Sequence, residues 1–408
     1  MEDIDVPTYF ICPISLQIMK DPVTVITGIT YDRESIEQWL ATAEESLCPV
    51  TKQPLPQDSD VTPNHTLRRL IQAWCTANAD LGIDRIPTPK SVLSMSHVLK
   101  LNRQLKAPQL CFGALKILDG LANESEKNRK CMAEAGTASA VVSVIVKCFR
   151  ERRNVGLEEA VRVLHLTWKP SPDNIRVVHD NFDIIESILW ILQDDHENLV
   201  ELKHLAVLVL KTISEVASSN LMERLQYKFF DVIVATLREY RTSDHQATKA
   251  LLHVLGLVLP WGRNRMKIIE AGAIYELIEL ELMHPGKHVT ELIFCLLADL
   301  CACADGRAHL LNHAAGIAVV SKRILRISPV TDDRAVDILV MIARHSSIKE
   351  VVAEMLSVGA VAKMCLMIQA DCDDNLKKKA RGVLKLHSNA WRASPCINDY
   401  IFTKFAGN

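Results

Sequence analysis

Short blocks that recur at a nearly constant interval limit what this chain can fold into. GRNRMKIIEAG at 262–272 reappears as GRAHLLNHAAG at 306–316. The offset of 44 pairs Gly262 with Gly306, Arg263 with Arg307 and Gly272 with Gly316. VVAEMLSVGAV carries the same turn to Gly359, and NRKCMAEAG around Gly136 resembles NRMKIIEAG around Gly272. RVVHDNFDIIESIL and LQYKFFDVIVATLRE fill the gap, with turns expected near Asn181 and Phe230, so that successive turns lie 42 to 49 residues apart. Between the turns the apolar residues follow a helical period. A helical unit of this size cannot bury its apolar face alone, so neighbouring units must stack to supply the core. Glycine at each turn is expected to adopt positive φ, where one helix stops and the next leaves at a steep angle.

This pattern predicts an all-α superhelical solenoid of armadillo type over 96–408, about six repeats ending in capping helices. An irregular helical bundle is the competing reading, and the matched Gly-Arg and Ala-Gly blocks weigh against it. Residues 1–80 obey different rules. PVTVITGITYD alternates β-branched residues around Gly28 and predicts a hairpin. DRESIEQWLATA predicts a helix capped by Asp32, with Ile36, Trp39 and Leu40 on one face. CPVTKQPLPQDSDVTP reads as a loop, and NHTLRRLIQAWCTANA as a second helix with a stripe of Leu67, Leu70, Ile71 and Trp74. Prolines 87 and 89 and Gly82 mark a linker over 81–95.

Charge is divided between the two regions. Residues 1–80 carry 5 Lys/Arg against 12 Asp/Glu, a net −7, while the remainder is +5. An N-terminal nucleic-acid module would need the opposite sign. The most apolar stretch, ALLHVLGLVLPWG, is broken by His253 and Pro260 and falls short of the ~20 residues of a membrane span. The N-terminus has no signal-peptide pattern. The twelve cysteines are scattered and are expected to be reduced, so a cytoplasmic protein is expected, with nuclear or membrane-peripheral placement left open.

CPIS at 12–15 and CPVT at 48–51 each begin like half of a RING-type zinc site and then place a hydroxyl where the second thiolate would stand. Two tetrahedral zinc ions need eight ligands. Residues 1–80 offer only Cys12, Cys48, Cys75 and His65, so neither metal nor cofactor is expected. The fold must instead be held by polar contacts among Ser15, Asp21, Asp32, Glu37, Thr51 and Lys52, around a core of Ile18, Val23, Ile36 and Leu70. Cys12 lacks a nearby histidine and reads as a packing residue rather than a catalytic nucleophile.

The ordered blocks C-P-I-S, M-x-D-P-V, G-x-T-Y-D-R, I-x-x-W, C-P-x-T and P-N-x-x-L-R-x-L-I resemble the U-box, a zinc-free, RING-like α+β domain. Followed by armadillo repeats, the chain resembles the plant U-box/armadillo ubiquitin ligases, in the branch tied to immune and stress responses. The resemblance implies an E3 that binds a ubiquitin-charged E2 and forms no covalent intermediate. It places Ile14, Leu16, Trp39, Pro49 and Val50 on the E2-facing surface. It makes Lys52 a linchpin between E2 and ubiquitin, and Cys12, Ser15, Asp21, Asp32, Cys48 and Thr51 scaffold. Protein substrates would bind the armadillo domain, and a U-box homodimer is compatible with the pattern. A non-catalytic armadillo scaffold is the alternative.

Overall fold

The structure is a computed structural model, and it describes residues 6–42, 47–55, 61–78, 93–194, 199–345 and 349–391. The chain divides into two compact units, Met1–Val92 and Leu93–Asn408.

In the first unit the expected hairpin forms. β1 (Pro22–Thr24) pairs antiparallel with β2 (Thr30–Asp32), and the turn passes through Gly28 at φ 80°. α1 (Arg33–Thr42) follows directly. The segment read as loop contributes a short third strand, β3 (Thr62–Pro63), on the other side of β1. Proline is tolerated there because an edge strand need not donate to a further ladder. Asn64 then caps α2 (His65–Ala77), its side chain accepting from the Leu67 amide.

The core of this unit is Phe10, Cys12, Met19, Val23, Val25, Tyr31, Ile36, Cys48, Leu55, Ile71 and Cys75. One expected core residue is misplaced. Leu70 is 52% exposed, and its neighbour Ile71 is buried instead. On α2, Ile71 and Cys75 lie one turn apart and set the buried face, which leaves Leu70 outside it.

In the second unit, helix α3 (Met95–Gln104) precedes six three-helix repeats among the described residues, at 108–151, 157–192, 200–240, 245–282, 287–323 and 329–369. Each first helix packs on the first helix of the next repeat, and the third helices pack on one another in the same order. Helices Asp374–Leu386 and Ser388–Trp391 close the row, with Trp391 buried and its Nε1 donating to the Val352 carbonyl at 3.4 Å.

The repeat is more regular than the sequence suggests. The third helices are preceded by Gly136, Asn181, Gln226, Gly272, Ala315 and Gly359, a spacing of 43 to 46 residues. The turn expected near Phe230 lies at Gln226, and Phe230 is buried inside helix Tyr227–Tyr240. The aligned glycines also differ in kind. Gly136, Gly272 and Gly359 have φ between 72° and 83°, as the turn requires. Gly306 and Gly316 are helical, and a Cβ on either would overlap a backbone carbonyl, of Leu300 and Leu310 respectively.

Candidate functional site: two matched loops of the first unit

Two loops in the first unit are built alike, 36 residues apart. In the first, the Cys12 amide donates to the Gln17 carbonyl at 2.8 Å and the Leu16 amide to the Cys12 carbonyl at 2.9 Å. In the second, the Cys48 amide donates to the Gln53 carbonyl at 2.8 Å and the Lys52 amide to the Cys48 carbonyl at 2.9 Å. A single bridge closes each neck, Ile11 with Ile18 and Leu47 with Pro54. Leu16 and Lys52 occupy the same left-handed position, at φ 57° and 59°. Neither is glycine, so each loop holds a strained residue at its tip, where backbone strain is commonly found beside function.

Adjacent residues of β2 suspend the two loops. The Asp32 amide donates to Cys12 Sγ at 3.3 Å in the first loop. The Tyr31 hydroxyl lies 3.1 Å from Cys48 Sγ and accepts the Val50 amide at 3.3 Å in the second. Cys48 Sγ also receives the Thr27 hydroxyl at 3.3 Å and the Thr51 amide at 3.5 Å. Burial resists charge on Cys48, but hydrogen bonds from Thr27, Thr51 and Tyr31 outweigh it and draw the thiol down to about 6. Burial likewise resists charge on Cys12, while the Asp32, Ser15 and Ile14 contacts draw that thiol down. Burial, together with the Cys48 sulfur, pushes the Tyr31 phenol up. Each sulfur therefore keeps the acceptor role of a metal ligand, with protein donors around it.

A charge bridge joins the elements beneath the loops. Asp21, just before β1, accepts from Arg33 Nε at 2.7 Å and from Arg68 Nη1 at 3.4 Å, tying the entry to β1 to α1 and α2. Arg33 also reaches Glu37 at 3.5 Å. Asp32, expected to cap α1, accepts through Oδ1 from the Lys20 and Asp21 amides at 2.7 and 2.8 Å. Lys52, expected in this network, makes no ion pair among the described residues, and its side chain is exposed. Among the described residues no group of three or more His, Cys, Asp or Glu could hold a metal ion.

The residues expected to meet a partner sit around the loop tips. Leu16 is 77% exposed, Val50 51% and Trp39 37%, while Ile14 is half-buried against the core. Pro49 is half-buried at the second tip. Trp39 Nε1 donates to the Leu47 carbonyl at 3.0 Å, which fixes its indole beside the neck of the second loop. Sequence reasoning named Cys48 and Thr51 but missed Tyr31, Thr27 and Arg68, which complete the support. The hint was a tyrosine at the buried position of β2, where its hydroxyl needs a partner.

Among the described residues of the second unit, a cleft of about 430 Å³ is lined by Arg176, Asp180, Asn181 and Asp183, and another of about 360 Å³ lies between the second and third repeats. Gln193, Lys203, Asp231, Thr236 and Glu239 line the latter. Lys203 is buried at 6% exposure, with its ammonium 3.5 Å from Glu239.

A RING-like fold that hangs its loops on hydrogen-bonded thiols, followed by armadillo repeats, defines a U-box/armadillo protein. Residues 6–80 match the U-box domain, and residues 95–406 match the plant U-box protein ARM repeat region. The chain belongs to the plant U-box family with an ARM repeat region. It is similar to Arabidopsis thaliana E3 ubiquitin-protein ligase PUB24, at 41% identity over 99% of this chain and 96% of that protein. It is similar to PUB23 at 42% identity over 97% and 96%, and to PUB22 at 37% over 99% of each, both also from Arabidopsis thaliana. Among solved structures, an engineered protein covers 87% of this chain and 81% of its own at TM-score 0.52 and 17% identity. A structure from work on a phosphorylation switch between cadherin and beta-catenin covers 79% of this chain and 58% of its own at TM-score 0.55 and 11% identity. These two share the fold alone.

Proposed function

We propose that the two loop tips and Trp39 receive a ubiquitin-charged E2, while the armadillo unit holds the protein substrate. The chain is an E3 ubiquitin-protein ligase of the U-box type, in keeping with its family and with relatives of that name. The observation that carries the docking reading is the duplicated geometry. Two necks of the same build, each closed by backbone hydrogen bonds, carry loops that leave Leu16 and Val50 exposed to solvent. Exposed apolar side chains rimmed by polar ones suit a modest, transient protein interface.

In this reading Ile14, Leu16, Trp39, Pro49 and Val50 bind the E2. Lys52 then contacts the E2 and ubiquitin together and restricts the thioester to the geometry from which a substrate lysine attacks. Limiting that motion removes an entropic part of the barrier. A lysine does this as a point donor, whereas arginine could bind bidentately. Neither thiol serves as a nucleophile, since Cys12 and Cys48 are fully buried and committed to hydrogen bonds. The cleft holding Lys203 and Glu239 is a place for substrate contact. From the scattered, reduced cysteines we infer a cytoplasmic setting for this activity, and from the branch resemblance a role in the control of plant immune or stress responses.

The test is reconstituted ubiquitination with E1, a panel of E2s and the full chain, with and without a zinc chelator. Wild type is expected to build ubiquitin chains in both conditions. Ile14→Ala and Trp39→Ala are expected to lose at least about tenfold in rate while keeping their fold, as removal of a central apolar anchor does. Lys52→Ala is expected to slow transfer with little change in E2 affinity. Absence of transfer with every E2, or full activity in both anchor variants, would favour the scaffold reading.

A further inference from the structure

We propose that the solvent face of helix Pro108–Glu124, carrying Leu110, Gly113, Ile117 and Gly120, is a two-fold interface between two copies of this chain. Helix Pro108–Glu124 leads the row of first helices. It packs on α3, on the second helix of its own repeat and on the first helix of the second repeat. Its outer face carries Leu110 at 52% and Ile117 at 48% exposure. The first helices of the second, fourth and fifth repeats expose no large apolar side chain.

The two glycines are the stronger observation. Gly113 and Gly120 lie inside the helix, without positive φ, and a Cβ on either would meet nothing within 4 Å. Glycine inside a helix costs stability relative to alanine. Among the described residues nothing uses the space the glycines leave, and a second copy could.

The order of sizes identifies that body. Leu110, Gly113, Ile117 and Gly120 follow the spacing three, four, three and share one helical face. They alternate large, small, large, small. Turned end for end about residue 115, the pattern meets its own complement: Leu110 faces Gly120 and Gly113 faces Ile117. A two-fold axis demands this kind of self-complementarity, because one patch must fit itself. Charge agrees. The same rotation sets Lys106, exposed in the turn before the helix, opposite Glu124, exposed at its end. The glycines let the two backbones approach closely while each large side chain enters a gap on the partner copy. This inference is independent of how the loops dock an E2.

Sedimentation velocity of the full chain tests it, across about 1 to 100 µM, where modest homodimers dissociate. Wild type is expected to approach twice the 45.6 kDa chain mass at the upper end. Gly113→Leu fills the gap with a good helix former, so the fold should survive while the dimer weakens by at least about tenfold. Ile117→Glu should do the same, with far-ultraviolet circular dichroism unchanged in both. Lys106→Glu should weaken the dimer, and adding Glu124→Lys should restore it. Three outcomes overturn the proposal: a wild-type monomer throughout, a dimer that persists in both Gly113→Leu and Ile117→Glu, or a charge swap that fails to restore association.

Discussion

The hydroxyl of Tyr31 lies 3.1 Å from the sulfur of Cys48 and accepts the Val50 amide at 3.3 Å. One fully buried side chain thereby grips both the base and the tip of the second loop. Tyr31→Phe keeps the ring packing but leaves the Val50 amide without this acceptor. The expected cost is about 1–3 kcal/mol, the usual penalty for leaving a part-buried polar group unmet. Urea denaturation of the full chain should show the earlier transition moving while the later, solenoid transition stays put. Ubiquitin transfer should fall further than stability alone explains, because the tip carrying Val50 loses its anchor.

The thiol of Cys48 gives the first unit a pH dependence. Its folded value is drawn to about 6 from an ordinary 9.0. A group whose folded pKa is depressed contributes stability that is complete above its unfolded pKa and lost as pH falls through its folded one. Melting of the first unit should therefore rise between pH 6 and 9, the window these two values set. Cys48→Ser retains a hydroxyl for Thr27 and Tyr31 but does not titrate. Its melting profile should be shallower than that of wild type across the same window, keeping only the contribution of the Cys12 thiol, which is drawn down as well, and a slope equal to that of wild type would remove Cys48 as the cause.

The order of elements, the paired thiol loops and the helical period could all be read from residue types, because each depends on local pattern. What lay beyond reach depends on side chains meeting across the chain. Asp32 looked like a helix cap because it precedes α1, and only the fold brings the Lys20 and Asp21 amides to its Oδ1. Leu70 and Ile71 are equally apolar neighbours, and only packing decides which is buried. Phe230 looked like a turn because the glycine that marks other turns is replaced there by Gln226, which has no comparable signal.

Gly272 and Gly306 show why aligned glycines are not equivalent. Gly272 has φ 83° and open space around its Cα, so alanine there meets only backbone strain, about 1 kcal/mol. Gly306 has ordinary helical φ but sits against the Leu300 carbonyl, which no side chain can vacate. Gly306→Ala should cost more, about 1–3 kcal/mol or above, as overpacking against fixed atoms does. Chemical denaturation of the two variants orders them, and a larger loss at Gly272 would contradict this account.

The ion pair between Glu281 and Arg323 joins the third helices of the fourth and fifth repeats. Arg323 Nε contacts Glu281 Oε1, and Arg323 Nη2 donates to the Glu281 carbonyl at 3.1 Å. The Thr290 hydroxyl supplies a further bond to Oε1 at 3.3 Å, while Oε2 has no hydrogen-bond partner among the described residues. Burial pushes the Glu281 carboxyl up, against the opposing pull of Arg323. Removing Arg323 would strand a buried carboxylate, and Arg323→Ala is expected to cost about 3–5 kcal/mol at neutral pH. A carboxyl whose folded pKa is raised contributes stability that is lost as pH rises through that value. The defect in Arg323→Ala should therefore shrink at pH 5, where the carboxyl can take up a proton, and grow at pH 8. Replacing both residues with methionine removes the charge and keeps the volume, so the double variant should recover most of the loss. Denaturation of the three proteins at both pH values decides the matter: an equal defect at pH 5 and 8 would mean that Arg323 acts through packing and not through charge.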